Sequence, residues 1–401
     1  MPSTSPLRVR TVSTEEHVSF LKSRRSASFL QTPAWAQVKP EWTPESIGWV
    51  STGSTSSGVS TGSTSSGVST GSTSREDELV GVALVLNRKL PKVARYLAYL
   101  PEGPVIDWDT DDLGAWLGPM GAHLKARGAF GIRIGPPVVT RRWTAQQVKD
   151  GIADDATRSL VDVPPSERST TGARVVSQLR ALGWLPQSVS GGFAAGQPQY
   201  NFQVPLAGRT EDDVLAGMNQ QWRRNIKKAV KAGVEVTTTT SGSDDLEAFH
   251  RLYVETAERD HFTPRPLSYF RIMVDALSAE DPDRIRVYTA RHEGDLVAST
   301  IWIRVGTHTW YSYGASTTHK REVRGSNAIQ WQMMRDSLAV GADVYDLRGI
   351  TDTLDSDDPH LGLIQFKVGT GGEAVEYAGE WDLPLNRLVY KAFEVYMRRR
   401  G

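Results

Sequence analysis

Apolar and polar positions recur along this chain in two matching series. In the second half, Arg284–Ala290 reads as a strand, Glu293-Gly294-Asp295 as a turn, and Leu296–Val305 as a second strand. Gly306-Thr307 makes another turn, His308–Gly314 a third strand, Asn327–Ala339 a helix and Val344–Leu347 a further strand. The first half repeats the order. Ile47–Val50 and Leu79–Leu86 form a hairpin, Tyr96–Leu100 a third strand, Asp111–Ala126 a helix and Gly131–Ile134 a strand. The helix-to-strand junctions share wording, Gly128-Ala129-Phe130-Gly131-Ile132-Arg133-Ile134-Gly135 against Gly341-Ala342-Asp343-Val344-Tyr345-Asp346-Leu347-Arg348-Gly349. Between the two series, Met218–Gly233 has an apolar stripe of Met218, Trp222, Ile226 and Ala229 at helical spacing. Beside it stand Arg223, Arg224, Lys227, Lys228 and Lys231. Gly233 supplies the stop, and Val234-Glu235-Val236 opens a strand.

Three antiparallel strands, a helix and a further strand resemble the core of the GCN5-related acyltransferase (GNAT) fold. The expected architecture is therefore α/β (α+β), a tandem pair of GNAT-like domains. The expected domains are residues 1–165 and 166–383, with a C-terminal helix, 384–401, packing back on the first. Residues 51–74 repeat Ser-Thr-Gly-Ser-Thr-Ser-Ser-Gly-Val and cannot bury apolar area, so a flexible insert is expected at the hairpin tip. The insert twice matches the hydrolase pattern G-x-S-x-G, at Ser60 and Ser69. That motif needs a strand before it and a helix after it, and neither is present in the pattern.

Composition narrows the chemistry. The chain has 401 residues and balances 46 basic against 46 acidic side chains, so any anion site must be local. Five cations on one helix stand out against that balance and imply a polyanionic partner, phosphate above all, with a solvated basic face as the plain alternative. There is no cysteine, which excludes disulfides, thiolate nucleophiles and cysteine-ligated metals and fits a reducing cytoplasm. The N-terminus has no apolar signal region, and the longest apolar run, Leu79–Leu86, is about half of a membrane span. A cytoplasmic protein is expected, with peripheral contact at the inner face of the membrane as an extension. The eight histidines have no metal-ligand spacing, and no metal is expected.

Six further stretches, in order, resemble the Fem family of non-ribosomal peptidyl transferases. Gln31, Trp35 and Lys39 stand at the spacing Q-x-x-x-W-x-x-x-K, and Pro101-Glu102-Gly103-Pro104-Val105-Ile106-Asp107 matches P-x-G-P-x-x-D. The basic helix matches R-x-x-I-K-K-A-x-x-x-G-V. Thr256–Phe262, Tyr311–Ser316 and Gly349-Ile350 with Gly362–Lys367 complete the set. The segment Asp244–Ala279 is too short for the long coiled-coil arm of some members.

The resemblance implies transfer of an amino acid from aminoacyl-tRNA to an amine of the peptidoglycan stem peptide, with no cofactor. The acceptor is the soluble nucleotide-linked precursor (UDP-MurNAc-pentapeptide) or its lipid-linked form, lipid II, and DNA is no partner. It also implies roles. Lys39 with Arg223 or Arg224 would bind the acceptor diphosphate, as an ammonium and a guanidinium fork suit adjacent phosphates. Lys367 would meet the tRNA 3′ end or the developing oxyanion; its plain alternative is a strand-edge lysine. Asp107 would serve the acceptor amine as base or orienting group, or merely cap the following turn. Tyr311 and Tyr313, two apart on a strand, are expected on one face, with Tyr313 near the chemistry and Tyr311 binding substrate. Two other classes compete. An acyl-CoA transferase needs Q/R-x-x-G-x-G/A before the second-half helix, where Glu322 and Asn327 stand instead. A silent RNA- or phosphate-binding module would need the basic helix but not Lys367 or Asp107.

Overall fold

The computed structural model describes residues 7–51, 78–90, 94–187, 196–240 and 243–398; Ser60, Ser69 and nearly all of the repeat lie outside them. The chain opens with β1 (Leu7–Thr11) and α1 (Thr14–Lys22), then two 3-10 turns, Phe29–Gln31 and Pro33–Val38. β2 (Thr43–Ser51), β3 (Glu78–Lys89), β4 (Tyr96–Leu100), α2 (Gly114–Ala126) and β5 (Ala129–Ile134) follow. Next come β6 (Val139–Thr144), α3 (Ala145–Ala153), β7 (Glu167–Arg168), α4 (Thr170–Ala181) and β8 (Leu185–Pro186). The second series runs β9 (Tyr200–Pro205), α5 (Glu211–Gly217), α6 (Gln220–Lys231), β10 (Glu235–Thr239), α7 (Ser243–Asp260) and α8 (Leu267–Glu280). β11 (Ile285–His292), β12 (Asp295–Val305), β13 (His308–Ser316), α9 (Gly325–Ala339) and β14 (Val344–Ile350) carry it on. α10 (Leu361–Val368), β15 (Glu373–Tyr377), β16 (Trp381–Pro384) and α11 (Arg387–Arg398) close it.

The two predicted series are present as two sheets. In each, antiparallel strands lead into one parallel pair, β4 with β5 and β13 with β14, because a helix crosses over between the members. α7 and α8 pack on the second sheet through Phe249, Phe270 and Leu277 instead of projecting as an arm. The arrangement is thus a tandem GNAT-like α/β fold, with no coiled-coil arm among the described residues.

Strands are exchanged between the sheets. The seven-stranded sheet runs β1-β2-β3-β4-β5-β16-β8, and the nine-stranded sheet runs β10-β11-β12-β13-β14-β9-β15-β6-β7. β6 and α3 therefore belong with the second sheet, where Trp143 and Val148 enter its core. α4, β8 and β16 return to the first, where Val175, Leu179 and Trp381 are buried. A cut at residue 165 does not follow this pairing. α11 lies on the first sheet, with Tyr390 and Phe393 against Leu97 and Phe130.

The second sheet has a different core on each face. α6 and α9 cover one, where Trp222 and Ile226 meet Tyr288, Trp302 and Met333. The 3-10 turns, α7 and α8 cover the other, where Phe29 and Trp35 meet Val287, Ile301 and Ile303. α6 begins later than the apolar stripe suggests. The Asn219 side chain caps it by accepting from the Trp222 N–H at 2.8 Å, and Met218 ends α5. At its other end Gly233 takes φ +74°, the left-handed conformation that a helix stop needs.

Candidate active site

β13 and β14 pair over only three residues, His308–Trp310 with Val344–Asp346, before the ladder ends. Past that point β14 is irregular against β9, and Arg348 adopts φ +61°. Glu102, in the loop after β4, adopts φ +46°. Two non-glycine residues in this sparsely populated region are held where the surroundings over-determine them. They hold each other: Arg348 Nη1 donates to Glu102 Oε1 at 2.8 Å, joining the second sheet to the first.

Around this pair lies a cavity of about 280 Å³ between the sheets. Its polar lining includes Ser28, Gln197, Asn201, His308, Asp346 and Glu380 as well as the pair itself. Ser28 Oγ donates to Glu102 Oε2 at 2.6 Å, and Arg348 Nη2 to Gln197 Oε1 at 3.2 Å. Asp346 Oδ1 accepts the Arg348 main-chain N–H at 2.6 Å, and its Oδ2 lies 2.9 Å from Gln203 Nε2 and 3.3 Å from His308 Nε2. Burial opposes ionisation of Asp346, but His308, Arg348 and Gln203 outweigh it and hold the carboxyl below its ordinary range. Glu380 goes the other way, pushed up by burial although Tyr99 donates to it at 2.5 Å. Asn201 is buried, and its Oδ1 has no partner among the described residues. Three carboxyl groups and an open amide oxygen face one guanidinium, so the cavity offers mainly acceptors. It suits a ligand that donates, such as an amine.

Lys367 stands behind this wall. It lies on α10, not on a strand edge, and is 3% exposed. Its Nζ donates to the main-chain oxygens of Gly349 at 2.7 Å and Arg348 at 3.3 Å, so the ammonium meets the irregular part of β14. Burial is the main influence on it, with the Arg348 charge in the same sense and Asp346 opposing. Its pKa drops to about 7. A buried lysine held by carbonyls beside a polar cavity is a functional-site candidate on physical grounds.

Lys39 caps the second 3-10 turn and is half-buried. Its Nζ lies 5.7 Å from the Trp35 ring and 5.5 Å from the Tyr269 ring. Arg265 lies over the other ring contact, 4.9 Å from Tyr269, and Tyr269 Oη is 3.1 Å from Tyr313 Oη. Burial lowers the Lys39 pKa, and the charge of Arg265 adds to the effect. These two cations repel, the charge of Glu41 opposes the effect on Lys39, and neither is in an ion pair among the described residues, which makes them a candidate anion site.

The expected partners of Lys39 are elsewhere. Arg223 and Arg224 sit on α6, on the opposite face of the second sheet, so the structure does not bring them to Lys39. Arg223 Nη1 donates to the main-chain oxygens of Ala216 at 2.9 Å and Met218 at 2.5 Å, which ties it to the end of α5. Arg224 is exposed and forms no ion pair among the described residues. The guanidinium beside Lys39 is Arg265.

Tyr311 and Tyr313 are separated as well. Ile301 pairs with Tyr313 and Trp302 with Tyr311, leaving Ser312 as an extra residue, a β-bulge. The bulge breaks the two-residue alternation. Tyr313 faces Phe270 and Tyr253 on the α8 side, while Tyr311 packs into the α9 core. Burial, with the charge of Asp260, pushes the Tyr311 hydroxyl up to about 12. Asp107 is exposed and accepts the Asp109 N–H at 2.9 Å, the turn-capping arrangement; its neighbours Ile106 and Trp108 line the cavity. On the GNAT-type loop before α9, Lys320 is engaged by Glu293 and Asp295.

Sequence reasoning missed Arg265, Tyr269, Glu102, Arg348, Asp346 and Glu380. A signal existed for some of them. The repeated wording Arg133-Ile134-Gly135 and Arg348-Gly349 marks two arginines at equivalent strand ends, and both are half-buried in ion pairs, with Asp382 and Glu102. Thr263-Pro264-Arg265-Pro266 places a cation just before α8, where flanking prolines fix the chain.

Among the described residues, no group of three acidic or histidine side chains could hold a metal ion, and no helix is long and apolar enough to cross a membrane. The chain is similar to the lipid II:glycine glycyltransferases of Staphylococcus aureus strains MRSA252 and USA300, each 23% identical, with 96% of this chain and 94% of theirs covered. Among solved structures, that of FemX superimposes with a TM-score of 0.75 at 23% identity, covering 96% of this chain and all of that one. The FemAB family profile matches residues 12–281 and 283–398, nearly the whole length. The chain therefore belongs to the FemAB family.

Proposed function

We propose that this protein is a Fem-type aminoacyltransferase that moves an amino acid from aminoacyl-tRNA to an amine on the stem peptide of a peptidoglycan precursor. The observation that carries the reading is Lys367, buried against the Gly349 and Arg348 carbonyls beside an acceptor-rich cavity. The reaction is aminolysis of an ester. The neutral amine attacks the ester carbonyl carbon, the C–N bond forms, and the carbonyl electron pair moves to oxygen. Collapse of that oxyanion expels the ribose oxygen, which takes the proton shed by the amine. Acceptors in the cavity hold and deprotonate the incoming amine, with Glu380, Glu102 and Asp346 as the nearest carboxyl groups. Lys367, charged or neutral near pH 7, donates to the oxyanion or to the nucleotide end of the donor. Lys39 and Arg265 hold the diphosphate of the acceptor, while Trp35 and Phe29 pack between Lys39 and Arg348. That the relatives are lipid II:glycine glycyltransferases makes glycine the first amino acid and lipid II the first acceptor to try; the nucleotide-linked precursor is the second. No cofactor enters this scheme.

The test is incubation with charged tRNAs and each precursor, followed by mass spectrometry of the stem peptide. The expected result is a gain of one aminoacyl residue, lost in Lys367→Met. Arg265→Ala should raise the KM for the diphosphate-linked acceptor about tenfold or more while sparing a free stem peptide. No mass gain with any pairing, together with turnover of an acyl-CoA, would sink the proposal.

A further inference from the structure

We propose that the exposed cationic face of α6 is a docking surface for duplex RNA, seating the acceptor-stem phosphates of the donor. The proposal rests on the tRNA-dependent reading above and adds the surface that reading lacks. Arg224, Lys227, Lys228 and Lys231 follow the i, i+3, i+4, i+7 pattern and form one stripe about 10 Å long on the helix. Lys227, Lys228 and Lys231 are exposed like Arg224, and none of the four forms an ion pair among the described residues. In a chain of zero net charge this is a local choice. Arg223 is outside the stripe, spent on main-chain oxygens.

What makes the stripe more than a solvated face is its anchorage. The opposite side of α6 is locked onto the helix that carries Lys367. Trp222 Nε1 donates to the Phe366 oxygen at 2.9 Å, and the two rings lie 4.8 Å apart. The Asn219 N–H donates to the Gly369 oxygen at 3.0 Å. A Cβ on Gly369 would come within 2.2 Å of the Trp222 ring, so the contact is closed. A polyanion lying along α6 is thereby registered against the residues on either side of Lys367. Duplex RNA is gripped through phosphates and shape, with little base reading, and a rigid row of lysines suits that mode. A membrane surface fits less well. A helix lying on lipid exposes its apolar face, whereas Trp222, Ile226 and Ala229 are buried in the core.

The test compares the parent protein with the triple variant Lys227→Gln, Lys228→Gln, Lys231→Gln. Two donors are used, full-length charged tRNA and a 3′-aminoacylated CCA trinucleotide too short to reach α6. The triple variant should bind tRNA at least tenfold more weakly at 0.15 M salt. Its log-affinity against log-salt slope should be smaller by about 2 to 3, near one unit per lost phosphate contact. Transfer from the trinucleotide should stay within twofold. An unchanged slope and affinity would overturn the proposal, as would equal losses with both donors. Retained tRNA affinity with lost binding to phosphatidylglycerol vesicles would reassign the stripe to lipid. If the parent transfers from neither donor, the underlying reading fails instead.

Discussion

Replacing Lys367 with methionine gives a pH signature that no other explanation of the residue supplies. Burial lowers its pKa from the ordinary 10.5 to about 7 in the folded protein. Between these values the unfolded chain holds a proton that the folded chain has released, so raising the pH favours the folded state. At 1.36 kcal/mol per unit, the whole window from pH 7 to 10.5 amounts to roughly 5 kcal/mol. Integrated from pH 7 to 9, it is roughly 2 kcal/mol. Methionine has similar length and cannot titrate. It leaves the Gly349 oxygen without its 2.7 Å partner, a cost of about 1–3 kcal/mol. That cost does not depend on pH, so it shifts the difference between the two proteins without tilting it. The assay is urea unfolding of both proteins at half-unit steps from pH 6.5 to 9. The stability of the parent minus that of Lys367→Met should climb by roughly 2 kcal/mol between pH 7 and 9, while other titrating groups cancel. A flat difference would mean that Lys367 keeps an ordinary pKa, and the account of a desolvated ammonium at the site would be wrong.

Two further predictions probe packing, one at the tyrosine cluster and one at α1. In a double-mutant cycle, Tyr313→Phe and Tyr269→Phe should couple by about 1 kcal/mol through their 3.1 Å hydroxyl contact, whereas Tyr311→Phe with Tyr269→Phe should show none; coupling in the second cycle would place both tyrosines on one face and remove the bulge from the argument. His17 is fully buried against Ser46, and burial drops its pKa from 6.5 to about 4. The unfolded chain therefore takes up a proton first as the pH falls, and the folded state loses roughly 3 kcal/mol between pH 6.5 and 4. His17→Gln should flatten that part of the stability profile, and an unchanged profile would contradict the assignment.

The fold was legible because it is local and repeated. Strand β4 runs Tyr96–Leu100 as the apolar pattern required, and α9 needed only Gly325 and Ser326 added to the expected Asn327–Ala339. The strand exchange was not legible, since β6 and β16 look like any short strand and only long-range pairing decides which sheet takes them. The same divide runs through the site. Lys39 and Lys367 could be singled out as candidates from motifs, because each is one residue in a distinctive stretch. Arg265 was not, because it meets Lys39 only through the packing of α8 on the 3-10 turn. The bulge at Ser312 was invisible for a related reason. A sequence with an extra residue in one strand looks regular until its partner strand is counted against it.

Strand exchange also explains why the polar site can lie at the junction at all. A cavity between two independent units would sit at a hinge, and its buried charges would lose their partners whenever the units moved. Here β6, from the first series, is hydrogen-bonded into the second sheet, and β16, from the end of the second, into the first. The chain therefore crosses between the sheets at several places. The Glu102–Arg348 pair joins the loop after β4 to β14 across the same gap. A partly buried pair of this kind adds little net stability, but losing one partner is expensive. It is tolerable only where the two backbones are fixed relative to each other, and the exchanged strands fix them. The strained conformations of Glu102 and Arg348 fall at this point for the same reason. They aim the two side chains at each other across the junction, and the Arg348 carbonyl is thereby turned toward Lys367. Cross-sheet pairing, strained backbone and buried lysine thus form one continuous arrangement, with the cavity on one side of it and the anchored α6 on the other.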